Sequence, residues 1–323
     1  MAQVTSVRAE QWPLETIFRI SRGEKSQATV VVVEVAGDQH VGRGECTPYA
    51  RYGETIDTVT EAIRALPERF DRQSLQHALQ PGAARNAVDC ALWDLAAKQA
   101  GVRAWALADV EPPGPTATYY TIALDTAEAM AQKAISSKGC SHLKLKLGAA
   151  GDGERMSAVR DARPDATIVV DANEGWARAD LPDLLEVAAR TDVKVIEQPL
   201  PASDDQMLTN LVSPIPICAD ESAAPGAPLA QLLGKYDAVN IKLDKAGGLT
   251  AACDLVREAE LLQLDVFLGS MVATSLGIAP ALLLAHRAKW IDLDSPLLLA
   301  RDRPHALAVE NGRLSPPTPE LWG

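Results

Sequence analysis

The chain has 323 residues, more than one small domain needs, and its 47% hydrophobic content is ample for a large core. Its 31 Lys and Arg against 43 Asp and Glu give a net charge of −12, and this charge without a basic run argues against binding to nucleic acid or anionic lipid. No apolar stretch approaches the roughly 18 residues of a membrane span, and residues 1–13 lack a signal-peptide core.

The five cysteines are odd in number, far apart and without a CxxC pair. This pattern predicts reduced thiols rather than a disulfide framework or a cysteine metal site, and with the missing signal core it predicts a cytoplasmic protein.

The N-terminal third predicts a small α+β unit. Short strands are expected over residues 4–9, 28–35 and 41–46, because these segments are rich in valine and bounded by turn residues. The polar stretch 11–27 between the first two strands predicts a long, mobile loop. Helices are expected over residues 54–66 and 82–101, and the segment Pro112-Pro-Gly-Pro115 predicts a linker.

A strand with two lysines follows the linker. In Ser141-His-Leu-Lys-Leu-Lys-Leu-Gly148, Lys144 and Lys146 alternate with leucines, so both lysines point to one face of a strand. Alternation alone is equally typical of a half-exposed antiparallel sheet.

The residues that follow favour a parallel array. Short apolar runs end at Asp171, Glu197, Asp220 and Lys242, then at Gly269-Ser270 and Asp292-Leu-Asp294, at intervals of roughly 25 residues. One strand, one helix and two loops fill that length in a βα barrel, whose strands carry the active site at their carboxyl ends. These charged residues are therefore expected to converge on one cavity.

Asp171, Glu197 and Asp220 are predicted to bind one Mg²⁺ ion. Each could instead cap a following helix, but three on consecutive strands beside lysines favour a site for a hard cation.

Lys146 and Lys242 are predicted to act as acid and base, and Lys144 is predicted to stabilise the enediolate intermediate together with the cation. The sequence leaves open whether Lys144 or Lys146 is the base on that side. Lys144 and Lys146 lie on the second strand of the array and Lys242 on the sixth, and in an eight-stranded barrel these strands are opposite. An α-carbon held between Lys146 and Lys242 could lose a proton to one and regain it from the other, provided that their pKa values are lowered. Lys245 is expected to be a solvated loop residue.

Asp292 and Asp294 share a face of the last strand if the alternation continues. The two aspartates could form a turn or cap a helix, or they could bind a cationic group of the substrate such as an α-ammonium.

The whole pattern resembles the enolase superfamily, muconate-lactonizing subgroup. The resemblance rests on Lys144-x-Lys146, Asp171-Ala-Asn, Glu197-Gln-Pro, Asp220-Glu-Ser and Asn240-Ile-Lys242. It implies an α/β fold, a (β/α)7β TIM-like barrel with an N-terminal α+β capping domain. We accordingly assign residues 1–112 to the capping domain, 113–302 to the catalytic barrel, and 303–323 to a tail that packs on the capping domain.

Finer motifs resemble dipeptide epimerases that act on L-Ala-D/L-Glu. They are Gly44-Glu-Cys-Thr-Pro-Tyr-Ala-Arg-Tyr-Gly53, Ala83-Ala-Arg-Asn86, Asn240-Ile-Lys-Leu-Asp-Lys-Ala-Gly-Gly248 and Asp292-Leu-Asp-Ser-Pro296. The resemblance implies that Asp292 and Asp294 hold the dipeptide ammonium and that Arg22 meets the glutamate side chain. It also places Thr121, Ser270 and Met271 in the substrate pocket. Ser295 departs from the glycine that is common in this family.

The expected function is therefore a Mg²⁺-dependent 1,1-proton transfer at the C-terminal residue of a dipeptide through an enediolate, of use in recycling murein peptides. N-acyl amino acid racemisation and o-succinylbenzoate synthesis are alternatives within the superfamily, although their substrates lack an ammonium group. A catalytically silent dipeptide-binding protein is a third alternative, which has no need of opposed lysines. A homo-oligomer is left open.

Overall fold

The computed structural model describes every residue from Met1 to Gly323. An N-terminal unit built on a three-stranded antiparallel sheet precedes an eight-stranded parallel sheet that curls into a nearly closed barrel. The predicted fold class, a TIM-like barrel with an α+β capping domain, is confirmed.

The N-terminal sheet consists of β1 (Gln3–Ile20), β2 (Gly23–Gly37) and β3 (His40–Cys46). Four helices follow: α1 (Ile56–Arg64), α2 (Arg72–Ala78), α3 (Ala83–Ala100) and α4 (Ala104–Leu107). Helix α3 packs so closely on β3 that a Cβ at Gly42 or Gly44 would lie 2.0 Å from a carbonyl oxygen of the helix. Glycine at these two positions is what permits the contact.

The prediction of a long, mobile loop over residues 11–27 is wrong. These residues form the outer half of a long β1–β2 hairpin, with Phe18 opposite Lys25 and Ile20 opposite Gly23. One face of β1 is the more buried, at Trp12, Leu14, Phe18 and Ile20, but a register shift between Pro13 and Phe18 interrupts the alternation, and residues 23–27 of β2 are all exposed.

The barrel strands run in sequence order around the sheet, each parallel to its neighbours. They are β5 (Tyr120–Ile122), β6 (His142–Lys146), β7 (Thr167–Asp171), β8 (Val193–Glu197), β9 (Ile217–Ala219), β10 (Ala238–Lys242), β11 (Asp265–Gly269) and β12 (Trp290–Asp292). A hydrogen bond from Tyr119 N to Ile291 O, 2.9 Å, links the first strand to the last. The expected first strand over 116–124 is shorter than predicted, because β4 (Thr116–Ala117) pairs with the tail instead.

Helices cover the outside of the barrel unevenly. They are α5 (Ala127–Ser136), α6 (Asp152–Ala162), α7 (Leu181–Arg190), α8 (Leu243–Ala246), α9 (Leu249–Leu261), α10 (Ser275–Ile278) and α11 (Ser295–Leu298). The connections from β8 to β9 and from β9 to β10 contain only the 3₁₀ turns Ala202–Leu208 and Leu229–Leu232, and a third, Ala279–Arg287, extends α10.

The barrel interior has an apolar floor and a charged rim. The floor is a cluster of seven buried side chains: Tyr119, Val169, Val195, Cys218, Ala238, Phe267 and Trp290. Because side chains two apart on a strand share a face, Val169 and Val195 place Asp171 and Glu197 on the same inner surface, one layer higher. This register positions the site.

The C-terminal tail returns to the N-terminal unit. It forms the short strands β13 (Val309–Glu310) and β14 (Arg313–Leu314), and Trp322 Nε1 then donates to Cys90 O of α3 at 3.0 Å. Gly323 N donates to the Asp94 carboxylate at 2.8 Å. None of the helices has the length and apolar character that crossing a membrane would require.

Candidate active site

Three buried carboxylates stand on the barrel rim, and each is paired with a lysine. Asp171 and Glu197 are the last residues of β7 and β8, and Asp220 directly follows β9. Lys146 Nζ lies 2.6 Å from Asp171, and Lys242 Nζ lies 2.6 Å from Asp220. The structure therefore brings together the carboxylates and lysines that the sequence pattern selected.

Lys144 is the centre of this cluster. It is 1% exposed, and its ammonium lies 2.6 Å from both Glu197 and Asp292 and 3.4 Å from Asp171. Burial lowers the pKa of Lys144, but the three carboxylates outweigh burial and raise it well above its ordinary value.

Lys146 and Lys242 line one cavity of about 90 Å³. Burial lowers the pKa of Lys242, but the charges of Asp220 and Glu197 outweigh it and raise the pKa above its ordinary value. This direction is opposite to the expected lowering, because in this structure each lysine is paired directly with a carboxylate.

Lys245 was expected to be solvated, and that expectation is wrong. It is 4% exposed and donates to Asp220 O and to Asp220 Oδ1, both at 2.7 Å. The helical turn α8 begins directly after Lys242, so a residue three positions later returns to the same side. Together Lys242 and Lys245 overcome the effect of burial and hold the pKa of Asp220 well below its usual range.

Two asparagines that belong to the quoted motifs, but were given no role there, orient the carboxylates. Asn173 donates from its backbone N to Asp171 Oδ1 at 2.8 Å, and Asn240 Nδ2 donates to Glu197 Oε1 at 2.6 Å. Asn240 could have been found, since it lies two residues before Lys242 on the same strand face. Asn173 has a φ of 44°, which no simple motif indicates.

The donor set fits a hard divalent cation. All three carboxylates offer oxygen, the ligand type that Mg²⁺ prefers.

Glu197 Oε2 is buried and has no hydrogen bond, although it lies 2.6 Å from Lys144 Nζ, because the contact is poorly aligned. Burial and the charge of Asp171 raise the pKa of Glu197, although the nearby Lys144 and Lys242 lower it in part. No three acidic side chains converge at coordination distance here, since Lys144 lies among them.

Asp292 and Asp294 differ in the groups that they contact. Asp292 ends β12 and contacts Lys144, whereas Asp294 lies beyond the strand and accepts a hydrogen bond from Thr121 N at 2.6 Å. Thr121 thus contacts both aspartates, its hydroxyl lying 3.5 Å from Asp292, but it lines a different cavity from Lys146 and Lys242. Burial and the charge of Asp292 raise the pKa of Asp294 to about 7. Among the carboxylates of this cluster, Asp294 is the one that forms no ion pair.

Arg22 lies at the cavity mouth on the turn of the β1–β2 hairpin. Its Nη1 donates to Asn173 O at 2.7 Å and lies 3.1 Å from the Glu174 carboxylate. Its Nη2 lies 2.6 Å from Glu221. Glu174 also binds Arg51, so the hairpin, the loop that contains Arg51 and the barrel are joined by ion pairs.

Ser270 and Met271 line the same cavity on the far side. Ser295 Oγ donates to Met271 O at 2.9 Å and lies 3.4 Å from Ser270 Oγ. The serine that departs from the family pattern therefore contacts the backbone of the pocket wall.

Comparison with known families places the chain among enzymes of related fold. Residues 2–108 match the mandelate racemase/muconate lactonizing enzyme N-terminal domain. Residues 126–320 match the enolase C-terminal domain-like family.

Three relatives illustrate the likeness. L-Ala-D/L-Glu epimerase of Escherichia coli K12 is 43% identical over 97% of this chain and 99% of its own length. N-acetyl-D-glutamate racemase of a Pseudoalteromonas species is 42% identical over 91% of this chain and 95% of its own length.

The third is a solved structure, an enolase family member from Agrobacterium tumefaciens with homology to dipeptide epimerases. It is described with bound sodium and L-Ala-L-Glu, is 46% identical, and covers 100% of both chains at a TM-score of 0.97. The chain thus belongs to the mandelate racemase/muconate lactonizing enzyme family of the enolase superfamily.

Proposed function

We propose that this chain is an isomerase that epimerises the C-terminal residue of the dipeptide L-Ala-D/L-Glu by a 1,1-proton transfer through an enediolate. The observation that carries the proposal is the pair Lys146 and Lys242, which come from β6 and β10, four strands apart, and line one cavity. A proton can then leave one face of an α-carbon and return to the other.

Asp171, Glu197 and Asp220 would hold one Mg²⁺ ion per site, and their oxygen-only chemistry supports this assignment. When bound, the ion would stabilise the negative charge that develops on the substrate carboxylate as the α-proton leaves. Asn173 and Asn240 position two of the ligands, Asp171 and Glu197.

Carboxylates of the chain hold the two proposed acid–base lysines. Lys242 and Lys146 in their ammonium forms, held by Asp220 and Asp171, are proton donors. A base requires the neutral amine; Asp220 and Glu197 raise the pKa of Lys242 overall, and the charge of Lys144 opposes them in part. Each lysine is proposed to act as base for one epimer and as acid for the other.

The substrate would lie between two charged ends. Asp294, buried and without a cationic partner, is proposed to receive the dipeptide ammonium together with Asp292. Arg22 at the mouth is proposed to approach the side chain of the second residue. Thr121, Ser270 and Met271 are proposed to shape the pocket between these ends.

N-acyl amino acid racemisation is a second candidate, and two observations favour it. One is the similarity to N-acetyl-D-glutamate racemase. The other is the pKa of Asp294, about 7, because a protonated Asp294 could donate a hydrogen bond to an acyl oxygen. The ammonium role remains our choice, since Asp292 adds a second negative charge beside Asp294.

Purified protein with Mg²⁺ should interconvert L-Ala-L-Glu and L-Ala-D-Glu, followed by polarimetry or NMR. N-acetyl-L-glutamate should be converted at least tenfold less efficiently, because it has no charge for the aspartates to bind. Faster conversion of the acetylated compound would select the second candidate, and binding of dipeptide without turnover would indicate a silent binding protein.

We also propose a cytoplasmic site of action in the turnover of wall-derived peptides. The five cysteines are unpaired in the structure, which agrees with a reducing compartment. Growth on L-Ala-D-Glu as nitrogen source, lost on deletion and restored by the active chain, would test this role.

A further inference from the structure

Lys25 shares a face of the β1–β2 hairpin with a residue that points at the active site. It lies directly opposite Phe18, and opposed residues in an antiparallel pair project to the same side. The Phe18 ring centroid is 5.8 Å from Lys146 Nζ. The next pair, Arg19 and Glu24, forms an ion pair on the solvent side of the hairpin.

The side chain of Lys25 therefore projects from the face of the hairpin that points towards the active site. It lines the same cavity as Lys146 and Lys242, and its ammonium lies 5.4 Å from the centroid of the Tyr49 ring.

Arg22 has little capacity left for a further anion. A guanidinium group carries five N–H donors. Its Nη1 serves Asn173 O and Glu174, and its Nη2 serves Glu221 and the Tyr49 hydroxyl, the last at 3.4 Å. One donor, on Nε, is left, so a two-pronged grip on a substrate carboxylate would require Arg22 to give up existing partners.

The local charges also indicate that Arg22 is already paired and that Lys25 is free to bind an anion. Arg22 and Arg51 are balanced by Glu174 and Glu221. Lys25 lies beside this neutral set, and its ammonium forms no ion pair within the chain. The uncompensated positive charge at the mouth is therefore that of Lys25, whose three N–H donors are available.

We infer that Lys25 is a specificity-determining residue that binds the side-chain carboxylate of the substrate's C-terminal residue, with Arg22 as a shared and weaker partner. This inference rests on the proposed function, because it concerns the substrate of that same site. It restricts the preferred substrates to those with an acidic C-terminal residue.

The test compares L-Ala-L-Glu with L-Ala-L-Gln, which has the same shape without the charge. In Lys25→Met, kcat/KM for L-Ala-L-Glu should fall about tenfold, mostly through KM, which is the lower end for a charge-assisted contact because Lys25 is exposed. The value for L-Ala-L-Gln should change less than about twofold, and Lys25→Arg should retain the preference for the glutamate dipeptide.

Arg19→Met is the matched control, since it removes a charge from the other face of the same hairpin. It should leave both dipeptides unaffected. An equal loss on both dipeptides in Lys25→Met, or no loss on either, would overturn the inference while leaving the proposed function intact. A wild-type protein that converts neither dipeptide in the presence of Mg²⁺ would overturn both.

Discussion

The buried charges of the site do not balance. Four lysines face five carboxylates, so the cluster carries one excess negative charge; the members are Lys144, Lys146, Lys242, Lys245, Asp171, Glu197, Asp220, Asp292 and Asp294. The excess lies at Asp294, where burial and a neighbouring aspartate raise the pKa to about 7. A substrate ammonium would supply the missing cation.

Asp294→Asn tests this residue-scale account. Asparagine can still accept the hydrogen bond from Thr121 N, so the local fold should be kept. KM for L-Ala-L-Glu should rise roughly ten- to a hundredfold, because a charge-assisted contact is lost. Steady-state kinetics measure this change.

N-acetyl-L-glutamate is the reference substrate, because its conversion should hardly change in Asp294→Asn. A variant with normal KM for the free dipeptide would exclude the ammonium role.

At the scale of elements, the short turn α8 joins the two parts of the molecule. It starts after Lys242, and a Cβ at Gly247 would lie 2.4 Å from the Arg85 side chain of α3. Asp244 in this turn accepts from Thr47 N at 3.0 Å and from Asn86 Nδ2 at 2.8 Å. The end of β10 is therefore attached to the N-terminal unit through a partly buried acid.

Asp244 predicts a pH dependence of stability. Burial raises its pKa to about 7, against 3.8 for an ordinary aspartate. The folded state then binds more protons than the unfolded state, so this group's contribution to stability is largest below about pH 4 and falls as pH rises towards 7. Thermal unfolding of wild type and Asp244→Asn at pH 5 and pH 8 should show the variant relatively more stable at pH 8.

The comparison between the two proteins removes the effect of other titrating groups. An identical stability difference at both pH values would show that Asp244 titrates normally.

The same elements show what sequence could predict. The strands β6 to β12 and their terminal charges were predictable, because buried parallel strands are apolar runs and the barrel spacing repeats. The outer β1–β2 hairpin was not, because a register shift between Pro13 and Phe18 interrupts the alternation in β1 and the facing residues 23–27 are all exposed. The burial of Lys245 was also missed, since it depends on how α8 turns back towards Asp220.

The pKa values of the lysines could not be derived from the sequence. A lowered pKa was the condition for a lysine to act as a base, whereas direct pairing with carboxylates raises the pKa of Lys144 and Lys242. Sequence indicates which charges meet, but the sign of a shift depends on which pairs are in contact.

At the scale of the molecule, the cavity is shared between both parts of the chain. Phe18, Ile20 and Tyr52 from the N-terminal unit close over Lys146 and Lys242 of the barrel. A substrate bound in this cavity would therefore contact both the hairpin and the barrel.

Metal dependence belongs to this scale, because the three proposed ligands come from the ends of three separate strands. EDTA should abolish epimerisation and Mg²⁺ should restore it. Mg²⁺ at a hundred times its Kd should also stabilise the fold by about 2.7 kcal/mol, visible as a rise in Tm. Glu197→Gln should lose most of this rise, and an unchanged rise would show that Glu197 is not a ligand.

The central claim is that two lysines reach opposite faces of one α-carbon. Lys146→Ala and Lys242→Ala should each stop epimerisation, yet each should still exchange the α-proton of one epimer with solvent, since the remaining lysine can remove and return it. NMR of L-Ala-L-Glu and L-Ala-D-Glu in D₂O measures this directly. We predict exchange of opposite epimers, the D-Glu epimer in Lys146→Ala and the L-Glu epimer in Lys242→Ala; exchange of the same epimer by both variants would contradict the account.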